Sequence, residues 1–247
     1  PKKTIIPFIV PERPSFILYI LSILKIWKRS YFTNFGQEYN NLIDKFSNFL
    51  NSKNIALCTN GTLAEEIILS LLKEKDNLKD EIITTPYSFI ASSNAILRSG
   101  LKPIFIDIDN NLSLDQKLLE KVISDKTLAI LIVDVYGIPN DYSSLKRIAN
   151  KYSVPIIADK SHSLGVTING YSSLIQSDYS FASLHATKII SSLEGGIVYS
   201  KSKNFIKKFL QYVNFGFKNN DAYSFGTNAK IDEFRCTFAS NLLLNIP

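Results

Sequence analysis

Cysteine is scarce in this chain. Cys58 and Cys236 are the only two in 247 residues, and they lie far apart. They lack the spacing of a metal knuckle or a redox pair, so both read as reduced core residues of a cytoplasmic protein, and no metal site is expected. Histidine is equally sparse, with only His162 and His185. No long run of one charge sign occurs, although the net charge is +6. That balance suits a soluble protein that accepts anionic ligands, and no nucleic-acid partner is expected. A signal-peptide pattern is missing. The apolar stretch from Phe16 to Trp27 carries Lys25 and is too short to span a bilayer, so it reads as a packed helix and no membrane partner is expected. There is no internal repeat, low-complexity tract or linker.

What is present is ordinary globular material, 45% hydrophobic and 20% charged. Pro7, Pro11 and Pro14 mark an extended arm, followed by a helix from about Ser15 to Lys28 and another from Gln37 to Leu50. A regular alternation then begins. Strands are expected at Ile55 to Cys58, Glu81 to Thr84, Pro103 to Asp107, Leu128 to Val133, Pro155 to Asp159, Asp178 to Ser183 and Ile197 to Ser200. Helices fill the gaps to Lys73, from Phe89 to Arg98, Asp115 to Ile123 and Tyr142 to Tyr152. Helices near Ser202 to Asn214 and Asp232 to Leu244 follow. Buried apolar runs alternating with helices define an α/β chain whose seven-stranded, mostly parallel sheet is covered on both faces.

The residues that carry chemistry fall just beyond the ends of these strands, where ligands of parallel sheets bind. Thr59-Asn60-Gly61-Thr62 opens a helix. Free N–H groups, the helix dipole and the Thr62 hydroxyl suit an anion there, although Asn-Gly is also a common turn. Asp159 ends an apolar strand, either as a cap or as a functional charge, with His162 three residues on. Phe89 follows Thr85-Pro86-Tyr87-Ser88, as a core aromatic or as a ring that stacks on a flat ligand. Phe181-Ala182-Ser183-Leu184-His185-Ala186-Thr187-Lys188 places one lysine just past a strand, and Glu194-Gly195-Gly196 comes soon after; His185 reads as a brace of that turn. A phosphate cradle, a stacking ring, a carboxylate with a histidine, and a lysine after a serine are the parts needed to hold pyridoxal phosphate.

These segments, together with Thr33-Asn34-Phe35-Gly36, Lys102-Pro103, Asp107-Ile108-Asp109, Tyr136-Gly137, Asn214-Phe215-Gly216-Phe217 and Gly226-Thr227-Asn228-Ala229-Lys230, resemble the DegT-type (DegT/DnrJ/StrS) sugar aminotransferases. The similarity runs from about Phe32 to Leu244 and is greatest to the viosamine-forming branch, which makes dTDP-4-amino-4,6-dideoxyglucose. The resemblance implies the aspartate-aminotransferase fold, with an N-terminal arm and helix over 1–35 and a pyridoxal-phosphate-binding large domain over 36–247. The family continues into a small C-terminal domain, and this chain stops at Pro247, short of it.

The same resemblance implies residue roles. Lys188 carries the imine with pyridoxal phosphate, Asp159 pairs with the ring nitrogen, and His162 lies near the phenolic oxygen. Phe89 stacks on the ring. Gly61, Thr62 and Ser183 hold the phosphate, joined by Asn228 from the neighbouring subunit of a homodimer. The implied reaction moves an amino group from glutamate to a 4-keto-6-deoxy nucleotide sugar, for surface polysaccharide or glycan synthesis. Two departures from the family stand out: a longer apolar N-terminal helix, and Lys160-Ser161 where small residues are usual. Strand alternation would turn Lys160 away from Asp159. Two rival readings exist. A dehydratase of the same family replaces the imine lysine, which is retained here; a catalytically dead interaction or regulatory protein would keep only the fold.

Overall fold

The computed structural model describes residues 9–219 and 221–245. Two helices lead the chain, α1 (Phe16–Arg29) and α2 (Gln37–Leu50). The main sheet comprises β1 (Ile55–Cys58), β2 (Glu81–Thr84), β3 (Lys102–Phe105), β4 (Thr127–Val133), β5 (Ile156–Asp159), β6 (Tyr179–Ser183) and β7 (Gly196–Ser200). Between and after them come α3 (Gly61–Lys75), α4 (Ile90–Arg98), α5 (Gln116–Val122), α6 (Tyr142–Tyr152), α7 (Lys203–Val213) and α8 (Glu233–Leu242). The strand order is β1-β7-β6-β5-β4-β2-β3. Only β7 runs against its neighbours; β6, β5, β4, β2 and β3 pair in parallel.

Alternation along each strand assigns the two faces. In β5, Ile157 packs with α3, α4 and α7, through Ile67, Ile68, Ala95 and Phe209. Its neighbours Ile156 and Ala158 pack the other way, against Leu119 of α5 and Leu145 and Ile148 of α6. In β1 and β7, Leu57 and Ile197 face α2 and α8, meeting Leu42, Phe46 and Cys236. Because helices cover both faces, the central strands β1, β4 and β5 are largely apolar rather than alternating in polarity, which is why they stood out in the sequence.

Helix boundaries follow from caps. Asn60, Asp115, Asp141, Ser202 and Asp232 each accept a backbone N–H of the first turn of α3, α5, α6, α7 and α8. Two elements escaped the sequence reading: small antiparallel ribbons pairing Thr167–Ile168 with Tyr171–Ser172, and Phe217–Lys218 with Asp221–Ala222. Two-residue strands carry too little alternation to register.

The stretch from Phe16 to Trp27 is a helix, but only partly a packed one. Ile26 is buried and Tyr19 meets Phe238 of α8 edge to face at 5.3 Å. Phe16, Ile17, Leu18, Leu21, Leu24 and Trp27 are exposed, so the expectation of a packed helix holds for one face of α1 alone. Among the described residues, no helix is long and apolar enough to cross a membrane.

Candidate active site

The carboxyl ends of β1, β2, β4, β5 and β6 open into one cleft of ≈ 560 Å³. Gly61, Thr62, Phe89, Asp159, His162, Ser183 and Lys188 all line it. Seven of the eight sequence-predicted site residues therefore meet in one place. The eighth, Asn228, is exposed and does not line this cleft; it bridges to Asn214 on the segment after α7.

The anion end of the cleft is built by β1, α3 and β6. Asn60 caps α3 by accepting the Leu63 N–H at 2.8 Å. The Gly61 and Thr62 N–H groups have no backbone acceptor among the described residues, so the helix start offers donors to the cleft. Gly61 presses against Ser183: a Cβ built on Gly61 would stand 3.0 Å from the Ser183 Cβ. Only glycine lets the α3 start approach the Ser183 hydroxyl so closely. Gly196, at the start of β7, answers a similar need, since its Cβ would lie 2.5 Å from the Asn60 carbonyl oxygen. The second glycine of Glu194-Gly195-Gly196 thus lets the start of β7 lie against the start of α3.

The lysine turn is braced by its own backbone. Leu184 N–H donates to the Gly195 carbonyl and Ser192 N–H to the Leu184 carbonyl, each at 2.8 Å. His185 supports the tip, as expected of it. Its Nδ1 accepts the Thr187 N–H and lies 2.9 Å from the Thr187 hydroxyl, while its carbonyl accepts the Lys188 N–H at 2.9 Å. Lys188 is half-buried, and burial lowers the pKa of its amine, with Asp159 opposing.

Asp159 sits at the end of β5, on the Ile157 side of the sheet. Its Oδ1 accepts the Ser161 N–H at 2.8 Å. Ser161 Oγ in turn accepts the Ser183 N–H at 2.9 Å, tying the ends of β5 and β6 together. Burial raises the Asp159 pKa; the Ser161 bonds, Lys188 and His162 pull the other way. The His162 pKa is lowered by burial and by Lys188.

Lys160 takes no part in the cleft. It is fully buried on the opposite face, where its Nζ lies 2.6 Å from Asp134 Oδ2 and contacts the Tyr142 hydroxyl. The parity argument that turned it away from Asp159 holds, and the second lysine lies outside the cleft.

Three residues given no role in the sequence reading also shape the cleft. Tyr136 is stacked on His162, with ring centroids 6.3 Å apart and planes 13° apart, and its N–H donates to His162 Nδ1 at 3.2 Å. Tyr87 meets Tyr136 edge to face at 6.4 Å. Glu65 on α3 is almost wholly buried, yet lines the cleft beside Asp159. The signal for Glu65 was available: it is one turn past Gly61 and shares a helical face with Ile68, Leu69 and Leu72.

A flat, phosphorylated aldehyde fits this arrangement. Unpaired amides and two hydroxyls suit a phosphate, an exposed ring at Phe89 suits a planar face, a carboxylate suits a protonated ring nitrogen, and a half-buried amine suits a carbonyl. Among the described residues, no cluster of three His, Cys, Asp or Glu side chains could hold a metal.

The order of strands, the single antiparallel strand and a cleft with a lysine beyond β6 define the large domain of the aspartate-aminotransferase fold. Residues 19–246 match the model of the DegT/DnrJ/EryC1/StrS aminotransferase family, and the chain belongs to that family. It is 36% identical, over 92% of its length, to a dTDP-4-amino-4,6-dideoxy-D-glucose transaminase of Shigella dysenteriae. Identity to the protein of the same name from Escherichia coli is 33%, over 94% of the chain. Each match spans 62% of the relative's own length. Among solved structures, Helicobacter pylori PseC, an aminotransferase involved in the biosynthesis of pseudoaminic acid, is similar with a TM-score of 0.85 at 26% identity, over 94% of this chain and 64% of that one.

Proposed function

We propose that this chain is the cofactor-binding part of a pyridoxal-phosphate-dependent aminotransferase acting on a nucleotide sugar. The observation that carries the reading is the meeting of Gly61, Thr62, Ser183, Asp159 and Lys188 at one cleft. The cofactor, when bound, supplies an aldehyde and an electron-withdrawing ring on which an amino group can be carried. Gly61, Thr62 and Ser183 anchor its phosphate through N–H and hydroxyl donors. Asp159 holds a proton at the ring nitrogen, and Phe89 covers one face of the ring. The Lys188 amine would face the aldehyde and would move a proton there as general base and acid. Its lowered pKa leaves more of the amine free of a proton at neutral pH, as both tasks require.

Glutamate is the proposed donor, and a dTDP-linked 4-keto-6-deoxyhexose the proposed acceptor. The Shigella dysenteriae and Escherichia coli relatives are both named dTDP-4-amino-4,6-dideoxy-D-glucose transaminase, which supports a 4-amino product. A catalytically dead interaction protein is not favoured, because the lysine, the carboxylate and the cradle are all in place.

The proposed assembly is a homodimer in which Asn228 reaches the partner's phosphate site. Asn228 is exposed, and Phe215, Phe217, Tyr223 and Phe225 on the same segment are exposed with it, an apolar surface suited to burial against a second copy. The test of the activity is spectroscopic. Purified chain mixed with pyridoxal phosphate should gain an absorbance band near the visible edge, and glutamate should remove it. Mass spectrometry of keto sugar nucleotides then reads the product. A product aminated only at C-3 refutes the acceptor, and no band at all refutes the cofactor.

A further inference from the structure

Among the described residues, five buried side-chain oxygens lack a hydrogen-bond partner: those of Thr59, Thr84, Ser192, Ser240 and Oε1 of Glu65. Four belong to hydroxyls. Glu65 is the one that can carry a charge, and the only one of the five that lines the cleft. Its side chain is almost wholly buried, at 1% exposure. An ionised carboxylate with a bare oxygen in such a place is costly. A neutral carboxylic acid is far cheaper, and gains an O–H to donate.

Asp159 lines the same cleft. Glu65 lies on the inward face of α3, one turn after the phosphate cradle. Asp159 leaves β5 on the Ile157 side, the side that α3 covers. One Asp159 oxygen accepts the Ser161 N–H, and the other has no protein donor among the described residues. We propose that Glu65 is held as a neutral acid against Asp159, so that the group facing the ring nitrogen is a two-carboxyl pair sharing one proton and one negative charge. This rests on the cofactor reading above for its purpose, but not for its existence. Glu65 is thus a positioning residue: it fixes the charge of Asp159 rather than touching the ring.

The electrostatics agree. Burial, then Asp159, then Glu66 push the Glu65 pKa well above the usual carboxylate range. Glu66 itself is tied up by Arg98 of α4 at 2.7 Å. The basic groups of the cleft, Lys188 and His162, act on Asp159, which they lower, and not on Glu65. The proton therefore belongs on Glu65. Two acids coupled in this way titrate as a pair.

The consequence is a sheltered charge. A lone Asp159, raised by burial, would compete with the ring nitrogen for the proton. A hydrogen bond from Glu65 stabilises the Asp159 anion and leaves the proton on the ring.

Difference infrared spectra of the purified chain at neutral pH test this, before and after pyridoxal phosphate. The expected result is a protonated-carboxyl band that shifts in heavy water, is lost in Glu65→Gln and moves in Asp159→Asn. It persists when the cofactor binds. A band unchanged by Glu65→Gln, or unmoved by Asp159→Asn, overturns the pair. Failure of the cofactor reading looks different: the band behaves as described while no visible chromophore forms.

A second measurement uses stability. With its pKa raised in the folded state, Glu65 keeps a proton that the unfolded chain releases above about pH 4.3. Wild-type stability therefore falls, relative to Glu65→Gln, as pH rises from there through the folded pKa, and the gap is constant above it. A gap that does not change with pH overturns the neutral acid. Should Glu65→Gln fold poorly, Glu65→Leu serves for both measurements.

Discussion

Replacing Lys160 with Met tests the reading that this lysine belongs to the core and not to the cleft. Lys160 and Asp134 are both fully buried, and their Nζ and Oδ2 atoms lie 2.6 Å apart. Asp134 also accepts from Asn140 N and Nδ2 at 3.1 and 3.0 Å, from the Tyr142 hydroxyl at 3.0 Å and from the Ser163 hydroxyl at 3.0 Å. The ammonium supplies the only positive charge in this set and lies 4.0 Å from the centre of the Tyr142 ring. Methionine keeps the volume and removes the charge, leaving a buried carboxylate with neutral donors alone. Breaking a buried pair from one side costs about 3–5 kcal/mol. At about 2–4 °C per kcal/mol for a chain of this size, the midpoint should drop by roughly 6–20 °C. Thermal unfolding followed by circular dichroism reads it. The double variant Asp134→Asn with Lys160→Met removes both charges and should recover at least half of the loss, because well-matched neutral replacements of buried pairs are often tolerated. A single variant within about 1 kcal/mol of wild type, the range of a surface pair, would refute the reasoning. So would a double variant as unstable as the single one.

Borohydride reduction of the cofactor-loaded chain, followed by peptide mapping, should place the pyridoxyl adduct on Lys188; an adduct on Lys160 would contradict the position of that side chain. Asp159→Asn should stay folded and lose activity by at least about 100-fold, as single electrostatic contacts in catalysis do, and near-normal turnover would reduce Asp159 to a cap. Mixing Lys188→Ala protein with Asn228→Ala protein should restore activity, since each mixed dimer holds one intact site; mixed dimers that form without recovery would sink the shared site.

Much of this molecule could be read from its sequence. The helices Gln37–Leu50 and Tyr142–Tyr152 were placed to the residue, because apolar stripes and turn signals bound them. The seven strands were found within a residue or two, because burial on both faces writes central strands such as β1, β4 and β5 as nearly continuous apolar runs. Site residues were legible as far as they sat beside turns with a distinctive pattern. Glu65 was missed because Glu65-Glu66 on a helix looks like a solvated pair, although its spacing from Ile68, Leu69 and Leu72 puts it on the buried face of α3. Glu66 behaves that way, reaching Arg98, while Glu65 turns inward. Tyr136 was quoted in a motif but given no role; its place over His162 depends on a left-handed backbone, φ 56°, which an aromatic residue rarely adopts. The partner of Lys160 lies 26 residues away on another strand end, and no local pattern announces it.

The pair Asp159-Lys160 shows how sequence and site connect. Adjacent residues at a strand end point to opposite faces. One face of β5 is covered by α3, whose start lines the cleft, and the other by α6, whose Tyr142 reaches Asp134. The carboxylate thereby enters the cleft while the ammonium enters the core. Moving the register of β5 by one residue would exchange them: a lysine would stand beside Lys188, and a carboxylate beside Asp134, two like-charged buried contacts in place of two matched ones. The apolar run Ile156-Ile157-Ala158 fits either face and cannot fix that register by itself. The charges at its end can, and so the buried ion pair on the far side of the sheet holds the acid of the cleft in position.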